Sequence, residues 1–407
     1  MCSRRRQSGQ IRRLIDLGLG DNALYQQAQT IGVVFHDFPL GGSERIAVRL
    51  MNRWAQTGRA VVALCGARRG PLVDLISPDV QLVECSPVIP RALGSRRRLG
   101  QALAQFLQRR PVDVLFTPGN FHWPVLPALA DVPRQIRPAV VTHISTPLFR
   151  LGRGPLHQLA YTALTRHRLR HVDAAVALSP LTVGHADRVL GRNITECIRL
   201  PVLDECEAGT ALSPARGDLI VAAGRLVKEK GFDVALHALA RMQHSTAQLA
   251  ILGEGPQEGA LRALAARLGI AHRVHFAGYV RNIAPWLEQS RVFLLSSFYE
   301  GYAAVIVEAL AAGRPVVSTD CTPATADLLD GLPGCESTPI GDAGAMADSL
   351  DRVMTRSIPD PSLLAGVVEG YRIGPIADKH LALFDSVVAR RESSVPAPES
   401  AEGVAYV

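Results

Sequence analysis

Lysine is almost missing from this chain of 407 residues: three stand against 41 arginines. Aromatic residues make up only 5%. None interleaves with the basic runs as stacking on nucleobases requires, so nucleic acid is not an expected partner. The cysteines (Cys2, Cys65, Cys85, Cys197, Cys206, Cys321, Cys335) are odd in number and scattered. They form no C-x-x-C pair and have no histidine at ligand spacing, which argues for reduced thiols and against a disulfide framework. No apolar run reaches the roughly 18 residues of a membrane-spanning helix. The opening MCSRRRQSGQIRRLIDLGLG has charge but no apolar signal core, so the expected place is the cytoplasm.

Charge is present but unevenly spread. Residues 1–210 hold 27 arginines and no lysine against 15 acidic residues, a net of +12, while the remainder has 17 basic against 22 acidic residues. Clusters at Arg4, Arg5 and Arg6, at Arg12 and Arg13, at Arg96, Arg97 and Arg98, and at Arg109 and Arg110 suit phospholipid head groups or a phosphorylated acceptor. Such contacts would bring the protein to the inner face of the plasma membrane. Solvated faces of an arginine-rich chain account for the same clusters.

Short apolar runs alternate with amphipathic stretches. Residues 30–38 (TIGVVFHDF), 60–65, 113–116, 139–143 and 174–178 read as strands. The alternation breaks near residues 200–217 and restarts with strands at 219–223, 248–252, 274–276, 292–295 and 315–319. β-branched strands separated by helices predict parallel sheets covered on both faces. The expected organisation is a basic extension over 1–29, a first Rossmann-like domain over 30–200 and a linker over 201–217. A second Rossmann-like domain over 218–375, a helix over 376–392 able to cross back, and a disordered tail over 393–407 complete it.

The stretch SSFYEGYAAVIVEALAAGRPVVSTD, residues 296–320, carries the clearest chemistry. A strand, a loop holding Glu300 and Gly301, and a helix from about Ala304 place a helix N-terminus at the carboxyl end of a parallel strand. That end of a helix suits a diphosphate. Glu300 and Glu308, eight residues apart, can then accept hydrogen bonds from sugar hydroxyls. A spacing of this kind also arises between two unrelated surface glutamates.

The run resembles the donor-binding signature of glycosyltransferase family 4, retaining enzymes of the GT-B fold. Further segments fall in that family's order: PLGGSER, VVTHISTP, VDAAVALS, GRLVKEKGFD, GEGP and FAGYV, together spanning about Thr30 to Thr319. The resemblance implies a nucleotide-sugar donor, UDP- or GDP-linked, and a glycan or lipid-linked acceptor. It further implies retained anomeric configuration and neither metal nor cofactor. Arg225 and Lys230 would hold the donor diphosphate, Glu308 the ribose and Glu300 the transferred sugar. Gly301, Tyr302, Ala303 and Ala304 would offer backbone N–H groups, and Val280 would meet the base. Gly41 and Gly42 would let the opposite loop approach the phosphates, Gly253 and Glu254 would shape a turn beside the donor, and His143 would face the reacting sugar. His36 and Asp37 are weaker acceptor-side candidates. Ala303 and Ala304 depart from the usual pattern, as does LPVLD in the linker. A nucleotide-sugar epimerase of the same architecture and a non-catalytic sugar-nucleotide-binding subunit share these features.

Overall fold

The computed structural model describes residues 27–146, 148, 154–205, 217–322, 325, 328–357 and 359–393. The clusters at Arg4 to Arg6 and at Arg12 and Arg13, the middle of the 201–217 linker and the tail beyond Ser393 lie outside the described residues.

In the first domain the elements run β1 Thr30–Phe35, α1 Gly42–Gln56, β2 Ala60–Cys65, β3 Gln81–Glu84, α2 Ser95–Arg109 and β4 Val114–Thr117. They continue β5 Ala139–Ile144, α3 Pro155–Arg168, β6 Ala174–Ala177, α4 Pro180–Leu190 and β7 Thr195–Cys197. Seven strands lie in the order β3-β2-β1-β4-β5-β6-β7, and every pairing is parallel. β4, β5 and β6 are buried along their whole length, which follows from apolar runs that must be covered on both faces.

The second domain has β8 Leu219–Ala223, α5 Phe232–Arg241, β9 Gln248–Leu252, α6 Glu258–Arg267 and β10 Val274–Gly278. Then come α7 Ala284–Gln289, β11 Val292–Leu295, α8 Ala304–Ala311, β12 Val316–Thr319, β13 Glu336–Thr338, α9 Ala343–Thr355 and α10 Pro361–Val367. Its sheet order is β10-β9-β8-β11-β12-β13, again parallel throughout.

Two differences from the sequence reading have a shared cause. Strands β3, β7 and β13 were not expected; each sits at a sheet edge and is at least partly exposed, so it carries no buried apolar run. β1 ends at Phe35 rather than at 38: the Phe35 carbonyl accepts from Gly66 N–H and the His36 carbonyl from Ala67 N–H, after which the chain turns away.

In both sheets the strand order reverses beside the first strand, between β1 and β4 and between β8 and β11. Open parallel sheets form a ligand crevice outside the carboxyl ends of their strands at such a point. Two chain crossings join the domains. Leu203 N–H donates to Tyr371 O and Ile373 N–H to Leu203 O, so the outgoing and returning segments run side by side. The last helix, α11 Ile373–Ser393, starts three residues earlier than the sequence reading placed it. Ile376, Ala377, Phe384 and Val387 on its buried face join the first domain's core with Trp54 and Phe116. Asp385 accepts from Ala28 N–H at 2.8 Å and pairs with Arg59 at 2.9 Å.

Phe384→Ala is expected to lower the first domain's stability by about 3–5 kcal/mol, since it empties a wholly buried aromatic site. Denaturant unfolding followed by hydrogen exchange checks this. The β8 to β13 sheet should keep its protection while β1 to β5 lose theirs.

Candidate active site

A cleft of about 1120 Å³ opens between the facing carboxyl ends of the two sheets. It exceeds the roughly 300–1,000 Å³ usual for one small ligand, which leaves room for two.

On the second domain's side, the turns after β8, β9 and β11 meet. Gly224 and Gly253 have φ of +156° and +141°. A Cβ on Gly253 would stand 2.0 Å from the Gly224 carbonyl oxygen, so both turns pack backbone on backbone. Leu226 N–H donates to Glu254 O, Gly253 N–H to Gly278 O, and Tyr279 N–H to Glu254 Oε1 at 3.3 Å. Gly253 and Glu254 line the cleft but brace it first of all. This bracing presents Arg225, exposed in the cleft, and Lys230.

Lys230 Nζ lies 2.5 Å from Glu300 Oε1, which also accepts from Ser297 Oγ at 2.7 Å. Ser296 Oγ donates to the Lys230 carbonyl at 3.0 Å, tying the lysine's loop to the end of β11. Gly231, at φ +60°, packs its α-carbon onto Ser296 O, a close approach that only glycine allows. Gly301, Tyr302, Ala303 and Ala304 lead into α8 and line the cleft. No side chain caps α8 and its first turn holds no acid. The positive end of its dipole therefore meets the cleft without compensation from its own side chains. Glu308, one turn on, lines the cleft, as do Val280 and Tyr279 beside it.

The first domain closes the other side with Gly42, Ser43, Arg45, Arg49, His143, Ser145 and Thr146. Gly42 has open space around its α-carbon. Gly41 is not among the lining residues; it is the N-cap of α1, and a Cβ there would meet Glu44 Oε2 at 2.3 Å. His36 and Asp37 are engaged elsewhere: His36 Nε2 sits 2.8 Å from Ser95 Oγ in the core, and Asp37 pairs with Arg91 at 2.5 Å. His143, at the end of β5, is 3% exposed. Burial and the neighbouring His380 push its pKa well below the ordinary 6.5, so the ring is neutral.

Sequence reading missed the pair Arg45 and Arg49. Their four-residue spacing on α1 was the available signal, since it puts both guanidinium groups on one helix face. Across the cleft they act on Glu308: burial raises the Glu308 pKa above 4.5, and the charges of Arg45 and Arg49 partly offset the rise. Arg49 also pairs with Asp204 of the linker at 2.7 Å. The domains approach closely where Gly301 faces Ser145: a Cβ on Gly301 would lie 2.6 Å from the Ser145 carbonyl oxygen.

Two facing parallel-sheet domains, with cations and an uncapped helix start across a shared cleft, define an enzyme of GT-B architecture. Residues 41–202 match the family model described as a glycosyl transferase 4-like domain, and residues 217–356 the model described as glycosyl transferases group 1. The chain belongs to this family of glycosyltransferases and is itself a glycosyltransferase. It is 29% identical over 330 residues to the lipopolysaccharide core biosynthesis glycosyltransferase LpsE of Rhizobium meliloti, covering 79% of this chain and 87% of that one. It is 28% identical over 314 residues to the phosphatidyl-myo-inositol mannosyltransferase of Mycobacterium leprae, covering 73% and 81%. Among solved structures, Anabaena HepE in complex with UDP and glucose superposes with a TM-score of 0.64 at 18% identity, over 90% of this chain and all of that one.

Glu308 binds its proton more tightly in the folded protein than in the unfolded chain. Its contribution to stability is therefore fullest at acid pH and is lost as pH rises from 4.5 through the raised value. Glu308→Gln is expected to remove that part of the pH slope without lowering the stability of the ligand-free protein at neutral pH. Urea unfolding across the acid-to-neutral range checks both.

Proposed function

We propose that the chain transfers a hexosyl group from a UDP- or GDP-sugar to a hydroxyl with retained anomeric configuration. The acceptor is a lipid-linked or cell-surface polysaccharide precursor. The observation that carries the reading is the Lys230–Glu300 pair, 2.5 Å long, at the uncapped start of α8 and in one cleft with Arg225. The lysine is held by a carboxylate, and a diphosphate offers it a denser anion. Arg225 adds forked contacts and Lys230 a point charge. Glu300, released from the lysine, turns to the sugar hydroxyls, and Glu308 takes the ribose.

In the reaction the anomeric carbon loses its bond to the diphosphate oxygen and gains one to the acceptor oxygen on the same face. The acceptor proton passes to the leaving diphosphate. Arg225, Lys230 and the α8 dipole stabilise the charge that grows there, the largest catalytic term in sites of this kind. In this reading these groups neutralise that charge, and neither metal nor cofactor takes part.

Relatives named for lipopolysaccharide core and phosphatidylinositol chemistry support an acceptor presented at a membrane. A candidate contact face is present. Arg96, Arg97 and Arg98 sit in the first turn of α2, where cations oppose the helix dipole. Leu93 just before them is fully exposed, and Leu156 and Leu159 are exposed on α3. Arg168 at the end of α3 lies close enough to Arg96 for the two charges to repel. Apolar tips among arginines suit an anionic bilayer surface.

Lys230→Ala and Glu300→Ala are each expected to lower kcat by about a hundred- to a thousand-fold while the fold survives. Donors are first identified by thermal stabilisation with UDP- and GDP-sugars, and the product anomer is read by NMR. An inverted product, or wild-type turnover in both variants, would sink the reading. Donor interconversion without acceptor would point to an epimerase. Sedimentation with anionic vesicles at low salt tests the face: binding should weaken in an Arg96→Ala, Arg97→Ala, Arg98→Ala triple variant and at high salt.

A further inference from the structure

Behind the cleft wall two imidazole rings meet. His143 Nε2 and His380 Nε2 lie 2.8 Å apart, so one of them carries the hydrogen between the rings. The other contact of His380 decides which. Its Nδ1 is 2.8 Å from the Ile376 carbonyl oxygen on its own helix. A carbonyl only accepts, so the proton of His380 is on Nδ1. A neutral imidazole has one N–H, which leaves His380 Nε2 as a lone pair. The hydrogen between the rings therefore belongs to His143 Nε2.

Both rings are kept neutral by where they lie. His380 is wholly buried, and burial pushes its pKa down to about 4. The rings packed on the pair are Phe116 of β4, with its centroid 4.8 Å from His143, and Trp54 of α1 and Phe384 of α11 against His380. None of these carries a charge to favour an imidazolium. On α11, His380 stands four residues from both Ile376 and Phe384, on the buried face that docks on the first domain.

We propose that His380 is a positioning residue for the glycosyl-transfer site: from the returning helix it fixes His143 as the Nε2–H tautomer. His143 Nδ1 is then left as a hydrogen-bond acceptor, on a residue that lines the cleft. A histidine of this tautomer receives a hydroxyl of the bound sugar and cannot donate to a carbonyl or carboxylate at that place. The assignment rests on the reading of the cleft as the donor site with His143 beside the reacting sugar. It goes beyond that reading by placing a determinant of the site in a helix at the far end of the chain.

The direct test is NMR of the ligand-free, full-length protein with ¹⁵N-labelled histidine, in which two-bond couplings separate the tautomers. His143 should show hydrogen on Nε2 and His380 hydrogen on Nδ1 at neutral pH. Hydrogen on His143 Nδ1, or a protonated His143 ring, overturns the proposal whatever the enzyme's activity. The kinetic test compares two variants. His380→Leu removes the acceptor for His143 and should lower kcat by about tenfold or more with donor affinity unchanged. His380→Gln, whose amide oxygen can accept the same N–H, should restore most of the loss. Equal kinetics in both variants would overturn the proposal. Should the leucine variant fail to fold, the wild-type spectrum still decides. Donor affinity that fails to respond to Lys230→Ala bears on the donor reading and leaves the tautomer result standing.

Discussion

Two backbone hydrogen bonds, from Leu203 N–H to Tyr371 O and from Ile373 N–H to Leu203 O, hold the two interdomain crossings together. Each domain has its own sheet and core, and the cleft exists only because these cores are kept face to face. The clamp sits where the linker leaves the first domain and where α11 begins. Past it, α11 adds residues that include Ile376, Phe384 and Val387 to a core whose members outside this helix come from the amino-terminal half. The second domain is thus tethered at both ends of its chain, which restricts the relative motion that a single linker would permit.

Charge in the cleft is arranged in facing pairs. Lys230 rests on Glu300, Arg49 on Asp204, and Glu308 lies under the field of Arg45 and Arg49. Lys230 and Arg49 each have a carboxylate at hand and so are not left as isolated charges. In the proposed reaction a diphosphate competes with these carboxylates, which can themselves turn to hydroxyl groups. Backbone approaches that exclude a Cβ, at Gly231, Gly253 and Gly301, hold the loops of the cleft close together.

Much of this could be read along the chain. The central strands were legible because a strand buried on both faces must be apolar for its whole length; β8, β9 and β11 fall where the apolar runs stand. Edge strands β3, β7 and β13 escaped because one side of each meets solvent. In the site, Lys230, Glu300 and Glu308 were legible through the motifs around them. Arg45 and Arg49 were passed over: their importance lies in facing Glu308, more than 250 positions away in sequence. The missing Cβ of Gly41 also makes room for the carboxylate of Glu44, a contact with no signature in the sequence.

By itself the sequence determined the fold class and the loops that the second domain turns to the cleft, since strand burial and turn geometry are local demands met by local residues. What the tertiary structure alone decided is which distant residues share a boundary. The closeness of Gly301 to Ser145, the grip of Asp204 on Arg49 and the meeting of His380 with His143 all depend on how two domains and a returning helix pack. Packing brings together side chains whose spacing along the chain carries no periodic signal, and for that reason a tautomer set across 237 positions became visible only in three dimensions.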